Sequence, residues 1–359
     1  MKILMLVNWK VRPCAEPPSD LQPPDYFVSG GDYWFFRYFR EKPQVDVLDI
    51  STFPALERFE HDITRFYMPQ GIRAAIRLAR GEYDLVLSHG AQSAVVLSLL
   101  RRIHKGRAKH VLFDIGSFAS ASESGMVLRL LKFASRSLDG LICHASGQLS
   151  YYGEQFPWIS DFARFIPFGT DFDFFNATAG DVAGSYICCV GASKRDWATL
   201  VEAYRASCID APLKLVGCTD AAFGGNGVEL IPHVPVRRMI DIIRGATLCA
   251  LPLKEYRYSY GQMTLLQQMV LGKCVVAADV TGIRDYMRAG ETALVYEPGD
   301  VNGLSELISA AYKDDGFRRR IGAAGRESVL TYYNERRMAT DIEDYLNWVL
   351  QGKEGDLNS

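Results

Sequence analysis

The sequence predicts an α/β protein built from two doubly wound, parallel-sheet domains. Three observations lead there. The chain has 359 residues, 48% of them apolar and 23% charged. That is too long for one ordinary hydrophobic core and suits two α/β domains. Short apolar runs alternate with amphipathic helical stretches, the pattern of βαβ units on a parallel sheet. The alternation then restarts after Asp171, giving two series each the size of one domain.

In the first series the strand-like runs are Ile3–Val7, Val45–Ile50, Leu85–Ser88, Val111–Phe113 and Gly140–Cys143. Helical periodicity covers Gly71–Arg80, Ala91–His104 and Met126–Leu138 between them. A Pro- and acid-rich loop, Pro13–Val28, follows the first run, and a helical run, Tyr33–Arg40, follows that. Ligands of open α/β sheets bind beyond the carboxyl ends of strands, which puts the loop at the mouth of a cleft. The second series has runs at Tyr186–Val190, Leu213–Val216, Val228–Ile231, Thr247–Pro252, Cys274–Ala277 and Ala293–Tyr296. The amphipathic stretch Tyr332–Leu350 comes last. The predicted division is 1–170, 171–331, and a tail 332–359 whose helix crosses back onto the first domain.

Net charge is −2, so no overall field attracts nucleic acid. Cys143, Cys188, Cys189, Cys249 and Cys274 lie in apolar strand-like runs, and no Cys/His metal spacing occurs. The reading is a reducing, cytoplasmic compartment, without metal or cofactor. The opening MKILMLVNWK is too short in its apolar part to read as a signal peptide, and no run of 18 apolar residues occurs, so neither a leader nor a membrane span is expected.

Several residues are placed to carry chemistry. Gly30-Gly31 precedes a helical run, where backbone amides approach an anion closely; a plain turn is the alternative. His89 ends a strand before a glycine and a helix start, where a neutral imidazole can bind a sugar hydroxyl or accept a proton; otherwise it is a structural histidine. Asp114 closes the next strand as an acceptor-side base or a cap. In CCVGASKRDWATL, the Gly191 turn leads to Lys194 and Arg195 beside a helix opened by Asp196, a diphosphate clamp or a solvated charge pair. In KEYRYSYGQMTLLQQMVLG, Gly261 opens a helix whose amides form a second anion site. Gln262 and Thr264 offer polar contacts there, and Gln267 reaches a hydroxyl from further along. Arg129, Lys132 and Arg136 share one face of the Met126–Leu138 helix, opposite Leu and Phe. Such a helix can lie on an anionic membrane surface, or its basic face is simply solvated.

Taken together these segments resemble the retaining GT-B glycosyltransferases of family four (glycosyl transferases group 1). MKILMLVN…GGDYWFF is similar to that family's first strand and glycine loop, and FIPFGTDFDFF to its domain junction. VGASKRDWATLVEAY is similar to its phosphate turn, LLQQMVLGKCVVA to its donor helix and GETALVYEPGDVNGL to its closing strand. The resemblance implies the GT-B fold, two Rossmann-like domains facing across a cleft. It implies a metal-independent, hexosyltransferase-type enzyme that uses a nucleotide diphosphate sugar as co-substrate and acts with retention. A glycan or lipid-linked saccharide accepts the sugar, in polysaccharide or glycoconjugate assembly. It puts Gly30, Gly31, Lys194, Arg195, Gly261 and Gln262 at the diphosphate, and Gly191, Ser259, Thr264 and Gln267 at the nucleotide or sugar. His89 and Asp114 stand at the reaction centre. The expected location is cytoplasmic, with peripheral contact at the inner face of the plasma membrane through the Met126–Leu138 helix. One departure stands out: the family's two glutamates, separated by seven residues, are Ser259 and Gln267 here. That keeps open a non-catalytic binding or scaffold protein, and a nucleotide-sugar epimerase on the same fold.

Overall fold

A computed structural model describes residues 1–18, 20–50, 56, 66–116, 118, 125–176 and 184–352. In the first domain the strands are β1 (Lys2–Leu6), β2 (Arg12–Cys14), β3 (Tyr26–Val28), β4 (Gln44–Leu48), β5 (Leu85–His89), β6 (Lys109–Asp114), β7 (Gly140–Cys143) and β8 (Ala163–Phe165). Its helices are α1 (Met68–Ala79), α2 (Ala91–Ile103), α3 (Met126–Ser135), α4 (Gly147–Gln155) and α5 (Pro157–Ser160). Six strands form one parallel sheet in the order β4-β1-β5-β6-β7-β8. β5, β6 and β7 are buried almost throughout, as strands covered by helices on both faces must be.

The chain runs from β1 outward to β4, then returns to β5 on the other side of β1. Strand order therefore reverses between β1 and β5. A crevice opens beyond their carboxyl ends, where Asn8, Trp9 and His89 lie.

After α6 (Phe172–Asn176) come β9 (Ile187–Val190), α7 (Trp197–Ser207), β10 (Leu213–Val216), β11 (Val228–Ile231), α8 (Val236–Gly245), β12 (Leu248–Leu251), α9 (Gln262–Val270), β13 (Val275–Ala278), β14 (Leu294–Tyr296), α10 (Val301–Lys313) and α11 (Asp315–Tyr332). The second sheet is also parallel, ordered β11-β10-β9-β12-β13-β14, and reverses between β9 and β12. Asp196 caps α7 by accepting from the Thr199 amide, and Asp300 caps α10 at Gly303.

α12 (Glu335–Leu350) leaves the second domain and packs on the first. Met338, Ile342, Tyr345, Leu346 and Val349 join the core of β1, β5 and β6. The Tyr345 hydroxyl accepts from the Leu141 amide at 2.8 Å and donates to the Phe162 carbonyl at 2.5 Å. The chain thus crosses between domains twice, and the crossings pair: the Thr170 amide donates to Tyr333 O and the Glu335 amide to Thr170 O. Residues 353–359 of the predicted tail lie outside the described residues.

Three sequence expectations need correction. Pro13–Val28 is not only loop, because β2 and β3 within it form a small parallel pair. Tyr33–Arg40 is not an α-helix. It holds one 3₁₀ helix, Trp34–Tyr38, whose aromatic side chains are pulled into the core instead of being displayed on one helical face. In α3, Phe133 does not lie opposite the cations. It is 51% exposed and stacks under the Arg102 guanidinium at 5.0 Å.

Candidate functional site

The first reversal point faces α9 of the second domain. A cavity of about 230 Å³ lies between them. The first domain contributes Asn8, Trp9, Trp34 and His89, with Gln22–Asp25 from the loop after β2. The domain junction contributes Phe168–Asp171, the second domain Phe174, Phe175, Met263 and Gln267, and the start of α12 Glu335.

His89 sits in an aromatic corner. Its ring meets Trp9 edge-on at 4.8 Å, Trp34 at 5.9 Å and Phe113 at 6.1 Å. Desolvation there, with His144 nearby, pushes its pKa down to about 3, so the imidazole is neutral at physiological pH. Nδ1 lies 3.3 Å from the Asn8 side-chain oxygen. With that oxygen as acceptor, Nδ1 carries the proton and Nε2 keeps its lone pair. Trp34, beside it, adopts φ +49, a conformation held only by the packing around it.

The cavity's far wall carries a buried charge cluster. Arg37 pairs with Asp171 at 2.6 Å and also with Glu335. Burial pushes the Glu335 carboxyl up to about 7, against the pull of Arg37. Arg37 thereby fastens both domain crossings to the first domain.

At the second reversal point, Lys194 and Arg195 part company. The Arg195 guanidinium is buried and turns inward, donating to the carbonyls of Val190 and Ser193 and to the Thr264 hydroxyl. In this arrangement it braces the turn from below. Gly191 makes this possible: a Cβ there would lie 2.4 Å from an Arg195 nitrogen. Lys194 stays at the surface, with its ammonium 4.0 Å from the Tyr256 ring and 5.5 Å from that of Tyr258. Gly261, at φ +82, begins α9 without a side-chain cap, which leaves the first helical amides open toward the cleft.

Other predicted positions are corrected. Asp114 is fully buried and accepts from the amides of Gly116 and Phe118 and from the Tyr152 hydroxyl. Its lone pairs hold the β6 turn together and are not available to a substrate. Gly30 and Gly31 are exposed and do not line the cavity, and the helix that would add its dipole there is one short 3₁₀ turn. Ser259 is buried and accepts from the Gln262 side-chain amide, while Gln262 Oε1 is buried without a partner among the described residues. Thr264 is committed to Arg195. Of the two positions occupied by glutamate in the resembling family, only Gln267 reaches the cavity. Sequence reasoning passed over Asn8, Trp9, Trp34, Asp25, Asp171 and Glu335. The position of Asn8 and Trp9 just past β1 was a usable signal; the rest assemble only through tertiary packing. Among the described residues no group of three or more His, Cys, Asp or Glu is placed to hold a metal ion.

Comparison with solved structures agrees on the architecture. Sucrose-phosphate synthase from Thermosynechococcus elongatus superimposes with a TM-score of 0.70 at 18% identity, over 98% of this chain and 100% of that one. Anabaena Alr3699/HepE in complex with UDP and glucose gives 0.69 at 14% identity, over 97% and 99%. The fold is GT-B. Within it, residues 185–314 match the family model of glycosyl transferases group 1. Among curated proteins, the capsular polysaccharide biosynthesis glycosyltransferase CapM of Staphylococcus aureus is 29% identical over 100 residues, 28% of this chain and 26% of that protein. D-inositol 3-phosphate glycosyltransferase of a Nocardioides species is 27% identical over 124 residues, 34% and 26%. The matched segments span about a quarter of those relatives' length.

Proposed function

We propose that this chain is a glycosyltransferase, moving a sugar from a nucleotide diphosphate donor to a saccharide acceptor in polysaccharide or glycoconjugate assembly. One observation carries the reading: the carboxyl ends of β1 and β5 and the helix α9 of the second domain open on a single cavity that holds a neutral His89 and Gln267 together. The group 1 match over the second domain supports it, as does HepE, a GT-B protein whose complex contains UDP and glucose.

In this reading Lys194 and the open amides of α9 stabilise the charge that develops on the leaving diphosphate. The Tyr256 and Tyr258 rings hold Lys194 near that position. Gln267 hydrogen-bonds donor hydroxyls without charge. His89 accepts a hydrogen bond from a sugar hydroxyl through Nε2 and orients the ring; with a pKa of about 3 it stays neutral throughout at physiological pH. Charge is thus managed by lysine, amides and dipole, with no cofactor or metal, and the anomeric configuration is kept. The exposed Ile103, Met126, Val127 and Phe133, interleaved with Arg102, Arg129 and Arg136, bring the enzyme to anionic lipid carrying the acceptor.

The test is nucleoside diphosphate release from a panel of UDP-, GDP-, ADP- and dTDP-sugars, with saccharide and lipid-linked acceptors on anionic vesicles. Release dependent on one donor and one acceptor, with an unchanged anomeric coupling in the product, supports the reading. Binding without transfer across the whole panel would leave a non-catalytic sugar-nucleotide binder.

A further inference from the structure

The charges around the central cavity are one-sided. Asp25, Asp171 and Glu335 line it, and among the described residues no lysine or arginine does. Arg37 sits behind the wall and is divided between Asp171 and Glu335. Asp25 is half-buried, and burial alone shifts its carboxyl, upward from the ordinary carboxylate range, with no cation offsetting it. His89 is neutral and adds no positive charge. Most of the remaining surface is ring and aliphatic: Trp9, Trp34, the Pro23-Pro24 pair and Met263.

From this geometry we propose that the cavity is a subsite for one uncharged or amino-bearing sugar ring, and that Asp25 excludes uronic acids and sugar phosphates from it. At about 230 Å³ the space falls below the roughly 300–1,000 Å³ of sites for drug-sized ligands, so it suits one ring and not a whole nucleotide sugar. The aromatic faces take the ring's C–H surface, while Asn8, Gln267 and Asp25 accept or donate to its hydroxyls. An anionic ring would bring a second carboxylate or a phosphate against an uncompensated one in a desolvated space, and such like-charge contacts set specificity. The proposal deepens the sugar-transfer reading and rests on it for the source of the ring, which is either the donor's sugar or the acceptor's.

Matched pairs separate these sources. Calorimetry compares UDP-glucose with UDP-glucuronate and GDP-mannose with GDP-mannuronate, each against the free nucleotide. Saturation-transfer NMR compares methyl glucoside with methyl glucuronoside, on free and nucleotide-bound protein. The expected result is that the uronate of one pair binds about tenfold more weakly or worse than its neutral partner. That selectivity should shrink in Asp25→Asn and reverse in Asp25→Lys, both checked for native thermal unfolding. Discrimination in the nucleotide pairs assigns the ring to the donor; discrimination in the glycoside pair assigns it to the acceptor. Equal binding of both members everywhere, no glycoside or sugar contribution at all, or selectivity unchanged in Asp25→Lys overturns the subsite. Affinity for the free nucleotide reports separately on the transferase reading.

Discussion

At the residue scale, the two adjacent cations after Gly191 show how far a spacing argument reaches. Sequence places Lys194 and Arg195 at one turn, and both are there. It cannot show that one points out and the other is drawn under the turn by three backbone and hydroxyl acceptors. The consequences differ. Arg195→Ala strips partners from buried carbonyls and should cost about 1–3 kcal/mol of stability per unsatisfied group, seen as a lower urea midpoint. Gly191→Ala should do similar damage, since φ +99 strains any side chain and the new Cβ would push the Arg195 guanidinium off its acceptors. His89 was legible from its place at a strand end; the desolvation that keeps it neutral was not, because Trp9 and Trp34, which pack on it, lie far from it in sequence. His89→Ala should lower kcat more than it raises the donor Kd. An unchanged turnover number in the variant would make His89 a packing residue only. Asp114 teaches the converse. It sits at an equivalent strand end, one strand over, yet the α4 side chains and its own turn consume it.

At the element scale, nearly all strands of both sheets were visible, because buried parallel strands are short continuous apolar runs. β8, only three residues long, and the β2–β3 pair were not, since neither carries a periodic signal. The 3₁₀ segment Trp34–Tyr38 looked helical because its aromatic density resembles an amphipathic face. The last helix is the element on which the two-domain arrangement depends most. Its Tyr345 hydroxyl is buried and joins β7 to the segment before β8. Tyr345→Phe should leave the Leu141 amide unpaired and cost about 1–3 kcal/mol. Denaturant titration of the first-domain signal checks this, and a midpoint equal to wild type would count against it.

At the scale of the whole molecule, the sequence could place two domains but not the charge cluster at their double crossing, which draws Arg37, Asp171 and Glu335 from three distant segments. Buried titratable groups make stability depend on pH. His89 and His110 are pushed down to about 3 and His144 to about 4, from an ordinary 6.5. Below pH 6.5 the unfolded chain binds protons at these three that the folded chain refuses, so stability falls as pH drops toward 4. Glu335 acts oppositely: raised from 4.5 to about 7, it holds a proton in the fold that the unfolded chain has released, so it contributes less stability as pH rises through that window. Three histidines outweigh one glutamate between pH 4.5 and 6.5. The thermal midpoint should therefore fall on acidification across that range, and Glu335→Gln should steepen the fall. A midpoint that is flat or rises on acidification would contradict this assignment.

A nucleotide sugar site between the two domains would have its diphosphate held by Lys194. The most direct test is calorimetric titration of UDP, GDP, ADP and dTDP into wild type and Lys194→Ala. The wild type should bind one of these nucleotides saturably. In the folded variant that affinity should be weaker by about 1.5–3 kcal/mol, the value of a charged hydrogen bond, or roughly 10- to 150-fold. Binding of none of them, or equal binding by both proteins, would contradict it.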